Sequence, residues 1–318
     1  MAYRYFATPR RKFIIADSPG HEQYTRNMVT AGSTADAAVI LVDARKGILP
    51  QTKRHLYIAH LLGIRHLIVA VNKMDLIGNE QKVFDSVRRD LTAFAAPLSL
   101  EDLRFVPISA LRGDFVVERS TAIGWYDGPT LLEMLEGIHE EDAAATRPLR
   151  FPVQLVSRPG AANEARGYMG RIESGSVRPG TEVTVLPTGR TNVVTGIARY
   201  EGKQSTAMAG DGVTLLLRDE VDISRGDMLA DPAHPPRLAK DVQALVCWFS
   251  NESFSPTGRY LLKHTTRTVK ARISALNYRV DVQTLEREPA PGGISMNDIA
   301  HLSLALNQPI FCDAYRND

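Results

Sequence analysis

Three short segments of this 318-residue chain carry residue types able to handle a nucleotide: Asp17-Ser18-Pro19-Gly20-His21, Asn72-Lys73-Met74-Asp75 and Ser109-Ala110-Leu111. An Asp that closes a strand can hold a Mg²⁺-bound water, and a Gly shortly after it lets a backbone N–H approach a terminal phosphate. Asn and Asp spaced as in Asn-Lys-x-Asp can read guanine. The Asp75 carboxylate accepts from N1–H and the 2-amino group, and the Lys73 stem stacks against the ring. Adenine lacks that donor pair and would leave a buried carboxylate unpaired, which creates specificity. Each segment alone has a blander explanation. Asp-x-Pro-Gly builds ordinary turns, and an isolated Asn-Lys-x-Asp is mostly a solvated loop. The weight lies in the combination, in this order, after successive strands.

The elements that must position these segments are legible as apolar runs. Lys12–Ala16, Ala37–Asp43, His66–Val71 and Arg104–Pro107 are β-branched and apolar on both sides of the pleat, the pattern of central strands covered on both faces. Between them, Glu22–Ala31, Gln51–Leu62, Gln81–Ala95 and Thr130–Gly137 read as helices. Strands alternating with helices predict right-handed crossovers and a mostly parallel sheet, whose ligands bind outside the carboxyl ends of its strands. All three segments fall at such ends. After Glu140 the helical period disappears; Ala143–Pro148 resembles a linker. Val153–Val156, Gly167–Ile172, Glu182–Leu186, Asn192–Arg199 and Val213–Leu217 then predict a small antiparallel barrel or sandwich. Asp231–Pro236 introduces another β-rich stretch, from Asp241 onward.

Composition narrows the classes. Thirty-eight Lys and Arg against 36 Asp and Glu give a net charge of +2, which argues against non-specific nucleic-acid binding as the main task. Cys247 and Cys312 are too few for a disulfide framework and fit a reducing compartment. The apolar runs are too short to span a bilayer, and no signal core follows Met1. A cytoplasmic, soluble protein is expected. His55, His60 and His66 lack the spacing of a helical zinc pair and read as packing or surface groups.

With their flanks, these motifs resemble a known family. RKFIIADSPGHEQYTRNM at 11–28, DARKG at 43–47 and LLGIRHLIVAVNKMDL at 61–76 are similar to the large, GTPase subunit of bacterial sulfate adenylyltransferases, within the translation-factor-type GTPases. WYDGPTL at 125–131, RPLRFPVQLVSRP at 147–159 and GRYLLKHTTRTVKARI at 258–273 extend the resemblance along the whole chain. It implies a P-loop-type α/β G domain followed by two β-barrels, here 1–145, 150–235 and 238–318. It also implies roles. Asp17 would organise Mg²⁺ through water, Gly20 would sense the γ-phosphate, and His21 would orient the attacking water. Asn72 and Asp75 would fix guanine with Lys73 packed on it, and Ser109, Ala110 and Leu111 would complete the base site. GTP hydrolysis would then drive a smaller partner subunit to join ATP and sulfate into adenylyl sulfate and pyrophosphate.

One departure stands out: no G-x-x-x-x-G-K-[ST] occurs in these residues. The family carries its phosphate loop, first switch and first, central strand upstream of the segment matching Ala2–Phe6, so the G domain is expected to be incomplete. The consequences expected are two unpaired ladder edges, exposed apolar surface, and neither tight GTP binding nor hydrolysis by these residues alone. The far end, Phe311–Arg316, looks like the approach to further barrel strands, so the last barrel too is expected to be incomplete. Two other readings stand beside this one: a GTPase that delivers aminoacyl-tRNA, and a scaffold without nucleotide binding that keeps only a partner interface.

Overall fold

The computed structural model describes residues 2–20, 22–138, 145–157, 166–199, 202–252 and 254–314. Its residues group into two compact units. The first holds Met1–Glu140 with Leu245–Phe254 and Asn277–His301, and the second holds Glu141–Ala244 with Ser255–Leu276 and Leu302–Asp318.

In the first unit, a hairpin of β1 (Ala2–Ala7) and β2 (Lys12–Asp17) is followed by α1 (Thr25–Gly32), β3 (Ala37–Asp43) and α2 (Pro50–Leu61). Then come β4 (His66–Asn72), α3 (Gln81–Ala95), β5 (Asp102–Pro107) and α4 (Leu131–Glu136). β3, β4 and β5 form a parallel sheet in that order, as their apolar runs and intervening helices predict. Every inner residue of β4 from Leu67 to Val71 is buried. Leu56 and Ala59 of α2 and Phe84, Val87 and Leu91 of α3 share one core with Ile40, Val42 and Ile68. The spacing of the α3 residues puts them on a single face of a 3.6-residue period. A second cluster joins Tyr57 and Ile58 of α2 to Val280 and Ile299, with Cys247 at its edge. Burial there pushes the Cys247 thiol up to about 12, so it packs as a small hydrophobe.

The first predicted strand requires a correction. Lys12–Ala16 is extended, but it is not a covered central strand: β2 pairs antiparallel with β1, Ala2 opposite Asp17, in a two-stranded sheet. Tyr5, Ile15 and Ile14 lie exposed, the last at 67%. Apolar composition reports what a strand could bury; it does not supply the neighbour that buries it. Val39 and Leu41 of β3 are likewise exposed, and β3 has one ladder partner among the described residues.

The second unit begins with β6 (Arg150–Ser157), β7 (Gly167–Arg171), β8 (Ser176–Val177), β9 (Glu182–Leu186) and β10 (Arg190–Arg199). It continues with β11 (Gly202–Gln204), β12 (Ala207–Met208), β13 (Gly212–Leu217) and β14 (Met228–Ala230). The ladder runs β11-β10-β13-β7-β6-β14-β9, and β9 also pairs β10. The strands from β10 round to β9 therefore close on themselves, which removes the free edges an open sheet would present. Phe151, Tyr168, Val183, Val185, Ile197 and Leu215 fill the inside. Alternation in β9 and β13 supplies them with period two. Beyond lie β15 (Arg237–Cys247), β16 (Tyr260–His264), β17 (Arg267–Val280), β18 (Arg287–Glu288) and β19 (Ile299–Cys312). Their order is β15-β19-β17-β16, with β18 on β17.

Candidate functional site

Parallel register brings the carboxyl ends of three strands together, with Asp43 opposite Asn72 and Val71 opposite Pro107. Backbone bonds then tie the loops leaving those ends. Ala44 N donates to Asn72 O at 2.9 Å, Ile108 N to Val71 O at 2.8 Å, and Met74 N to Ile108 O at 3.3 Å. Residues 43–47, 72–75 and 108–111 thus form one rim.

Asn72 is engaged by the protein's own backbone. Its Oδ1 accepts from Lys73 N at 2.7 Å and from Ala110 N at 3.0 Å, joining the second and third sequence segments. Lys73 sits at φ +66, a left-handed turn that few residues other than glycine adopt. Asp75 follows in a 3₁₀ turn. Its side chain is only 5% exposed, and its ion-pair partner is Arg112, whose Nε lies 3.7 Å from Oδ2. A carboxylate so sheltered, with a charge contact beyond hydrogen-bonding distance, has acceptor capacity left for a donor pair such as that of guanine. Ser109 is fully buried and its Oγ accepts from Arg112 N at 3.2 Å, turning the chain so that Leu111 points to solvent.

Two residues that sequence reasoning missed complete this rim. Asp43 accepts from Arg45 Nε on Oδ1 at 3.0 Å and from Arg45 Nη2 on Oδ2 at 2.7 Å. The same Oδ2 accepts from Lys73 Nζ at 2.9 Å. The Arg45 guanidinium first, and Lys73 after it, hold this carboxyl well below the usual carboxylate range. DARKG figured in the resemblance, but nothing in its spacing says that Asp43 reaches across to the next strand; the parallel register does.

The phosphate-facing candidates are less assembled. Asp17 closes β2 and is exposed, and Gly20 lies in the coil after it. A Cβ on Gly20 would meet nothing within 4 Å, so local packing does not require glycine there. His21 lies outside the described residues. Among the described residues no group of three or more acidic, His or Cys side chains could hold a metal ion. Asp17 alone does not make a Mg²⁺ cage. His66, at the opposite ends of the strands, pairs through Nδ1 with Asp102 at 2.8 Å. No helix among the described residues is long and apolar enough to cross a membrane.

Comparison with known proteins bears on the family of the chain. Residues 1–141 match the family model of the elongation factor Tu GTP binding domain, 168–230 that of elongation factor Tu domain 2, and 241–318 that of the GTP-eEF1A C-terminal domain-like family. The chain is 48% identical over 318 residues to the bifunctional enzyme CysN/CysC of Mycobacterium tuberculosis (strain ATCC 25618 / H37Rv), covering 99% of this chain and 52% of that one. It is 49% identical over 317 residues to sulfate adenylyltransferase subunit 1 of Laribacter hongkongensis (strain HLHK9), covering 99% and 65%. With the subunit 1 of Cellvibrio japonicus (strain Ueda107) the identity is 47% over 318 residues, covering 100% and 67%. The chain therefore spans about half to two thirds of the length of these curated relatives. A crystal structure of sup35 complexed with GDP shares the fold at a TM-score of 0.50 and 23% identity, over 98% of this chain and 77% of that one. Identity near one half, sustained from end to end, places the chain in the sulfate adenylyltransferase subunit 1 family, with a GTP-binding domain of the elongation factor Tu type.

Proposed function

We propose that this chain is the guanine-binding part of the GTPase subunit of a sulfate adenylyltransferase. In the whole protein, GTP hydrolysis would drive a smaller catalytic subunit to form adenylyl sulfate and pyrophosphate from ATP and sulfate. The observation that carries the reading is the convergence of Asn72, Lys73, Asp75 and Ser109-Ala110 on one rim that includes a sheltered carboxylate. Asp75 takes the N1–H and 2-amino donors, Lys73 carries the ring on its stem, and Asn72 braces the Ala110 loop beside the O6 edge. Gly20 and His21 are assigned to the γ-phosphate and the attacking water. The family matches at 1–141, 168–230 and 241–318 support a division into a G domain at 1–145 and β domains at 150–235 and 238–318.

Two experiments test this. Ligand-observed NMR should detect saturable binding of GMP to the chain and at least tenfold weaker binding of AMP, because AMP leaves Asp75 unpaired. Equal binding of both would remove the guanine assignment. Co-expression with a small adenylyl-transferring subunit should give a stable complex. Recovery of tRNA in its place would favour a delivery factor.

A further inference from the structure

Resting on the guanine reading of the rim, we propose that Asp43 is a positioning residue of the base site: it holds the Lys73 ammonium and so fixes the Lys73 stem as the platform on which guanine stacks. Nothing in the Asn-Lys-x-Asp motif itself fixes that stem. A lysine side chain has four rotatable bonds, and immobilising it on ligand binding opposes association. Here the stem is tied at both ends before any ligand arrives. Its backbone is turned into the left-handed region at φ +66, and its Nζ is held 2.9 Å from Asp43 Oδ2. Such pre-organisation strengthens binding by removing an ordering cost.

Asp43 is suited to the task because it cannot follow the lysine. Its Oδ1 accepts from Arg45 N and Nε, both at 3.0 Å, and its Oδ2 from Arg45 Nη2 at 2.7 Å. Its backbone O accepts from Lys46 N at 2.9 Å and Gly47 N at 3.0 Å. Strand register sets the reach, since Asp43 stands opposite Asn72, the residue before the lysine. Exposure differs in the useful direction. The Asp43 side chain is 17% exposed and that of Lys73 44%, so the carboxylate is sheltered while part of the lysine stays open to a ligand. The competing explanation is that Asp43 shapes only its own loop through Arg45 and touches Lys73 incidentally.

A double-mutant cycle separates the two. GMP affinity is measured by ligand-observed NMR for the native chain, Asp43→Asn, Lys73→Met, the double variant and Arg45→Ala. The clamp predicts about threefold weaker binding for Asp43→Asn, as befits a half-exposed ion pair. It also predicts a double variant no weaker than Lys73→Met alone, and for Arg45→Ala, which loosens the carboxylate but leaves it within reach of Lys73, a loss smaller than that of Asp43→Asn. Full additivity of the two losses, or native affinity in Asp43→Asn, would overturn it. Failure of the native chain to bind GMP would instead overturn the guanine reading on which the clamp rests.

Discussion

On the proposed reading, base selectivity turns on Asp75, because guanine and xanthine differ at the positions it would face. Guanine offers two donors there, whereas xanthine offers N1–H beside a C2 carbonyl. Asp75→Asn replaces two acceptors by one acceptor and one donor. The variant should lose at least tenfold in GMP affinity and gain in XMP affinity, read by competition. Equal loss of both would mean that the variant merely disturbs the 3₁₀ turn. His66 and Asp102 provide a separate residue-scale prediction at the far ends of the strands. Asp102 Oδ1 accepts from Arg104 Nε at 2.7 Å and Oδ2 faces His66 Nδ1 at 2.8 Å. Burial opposes ionisation of this carboxyl, but Arg104 and then His66 outweigh it and leave its pKa lowered. A lowered folded pKa stabilises above the ordinary carboxylate value of about 3.9, and that stability is lost as pH falls through the folded value. Asp102→Asn should therefore lower Tm at pH 7 by the equivalent of about 1 kcal/mol, and by less at an acidic pH below the ordinary carboxylate range. An equal drop at both pH values would assign the effect to packing.

Among the elements, those whose periodicity is strongest were legible to the residue. α3 is predicted and found at Gln81–Ala95 because Phe84, Val87, Leu91 and Ala95 mark one face throughout. α4 is predicted as Thr130–Gly137 and found as Leu131–Glu136, since Thr130 caps it from outside and Gly137 ends it. Thr130 Oγ1 accepts from Glu133 N at 3.1 Å, and Glu133 Oε2 accepts from Thr130 N at 2.7 Å. Thr130→Ala removes half of this reciprocal box and should lower stability by about 1 kcal/mol, measured by urea denaturation; no change would mean that tertiary packing alone holds the helix. β2 was legible as a strand but not in its surroundings, because KFIIA has the same composition whether or not a neighbour covers it. The Asp43–Lys73 contact was hidden for a related reason: thirty residues separate the partners, and only the register of β3 on β4 joins them. The exposed β1–β2 hairpin has its own consequence. Isolated two-stranded sheets are marginal in water, and exposed strands with apolar side chains aggregate. Ile14→Thr should reduce concentration-dependent aggregation, followed by light scattering, without lowering Tm. A lower Tm would show that Ile14 is covered in solution.

At the scale of the whole chain, the longest-range polar link in the second unit connects the first barrel strand to the last described stretch. Arg150 Nε and Nη2 donate to the two carboxylate oxygens of Asp313 at 2.9 and 2.8 Å, and Arg150 Nη1 donates to Leu149 O at 2.9 Å. The Arg150 hydrogen bonds hold the Asp313 carboxyl below its ordinary pKa despite partial burial. The two partners are unequally sheltered, for the Arg150 side chain is 9% exposed and that of Asp313 60%. That inequality makes the energetics of disruption unequal. Asp313→Ala leaves the buried guanidinium with its bond to Leu149 O and the more distant charge of Asp231, and a buried charge that loses its closest partner is costly. Arg150→Met leaves the carboxylate to water, which solvates it, and fills much of the vacated space with a flexible apolar chain. Asp313→Ala should therefore destabilise by about 2–3 kcal/mol and Arg150→Met by less than about 1 kcal/mol, each read from the urea midpoint at pH 7. If Arg150→Met proved the more damaging, the arginine would matter through the packing of its stem and the bond to Leu149 rather than through its charge. Acid provides the cross-check. Because the Asp313 carboxyl is lowered in the fold, the advantage of the native chain over Asp313→Ala should persist down to about pH 4 and shrink below it as the carboxylate takes up its proton.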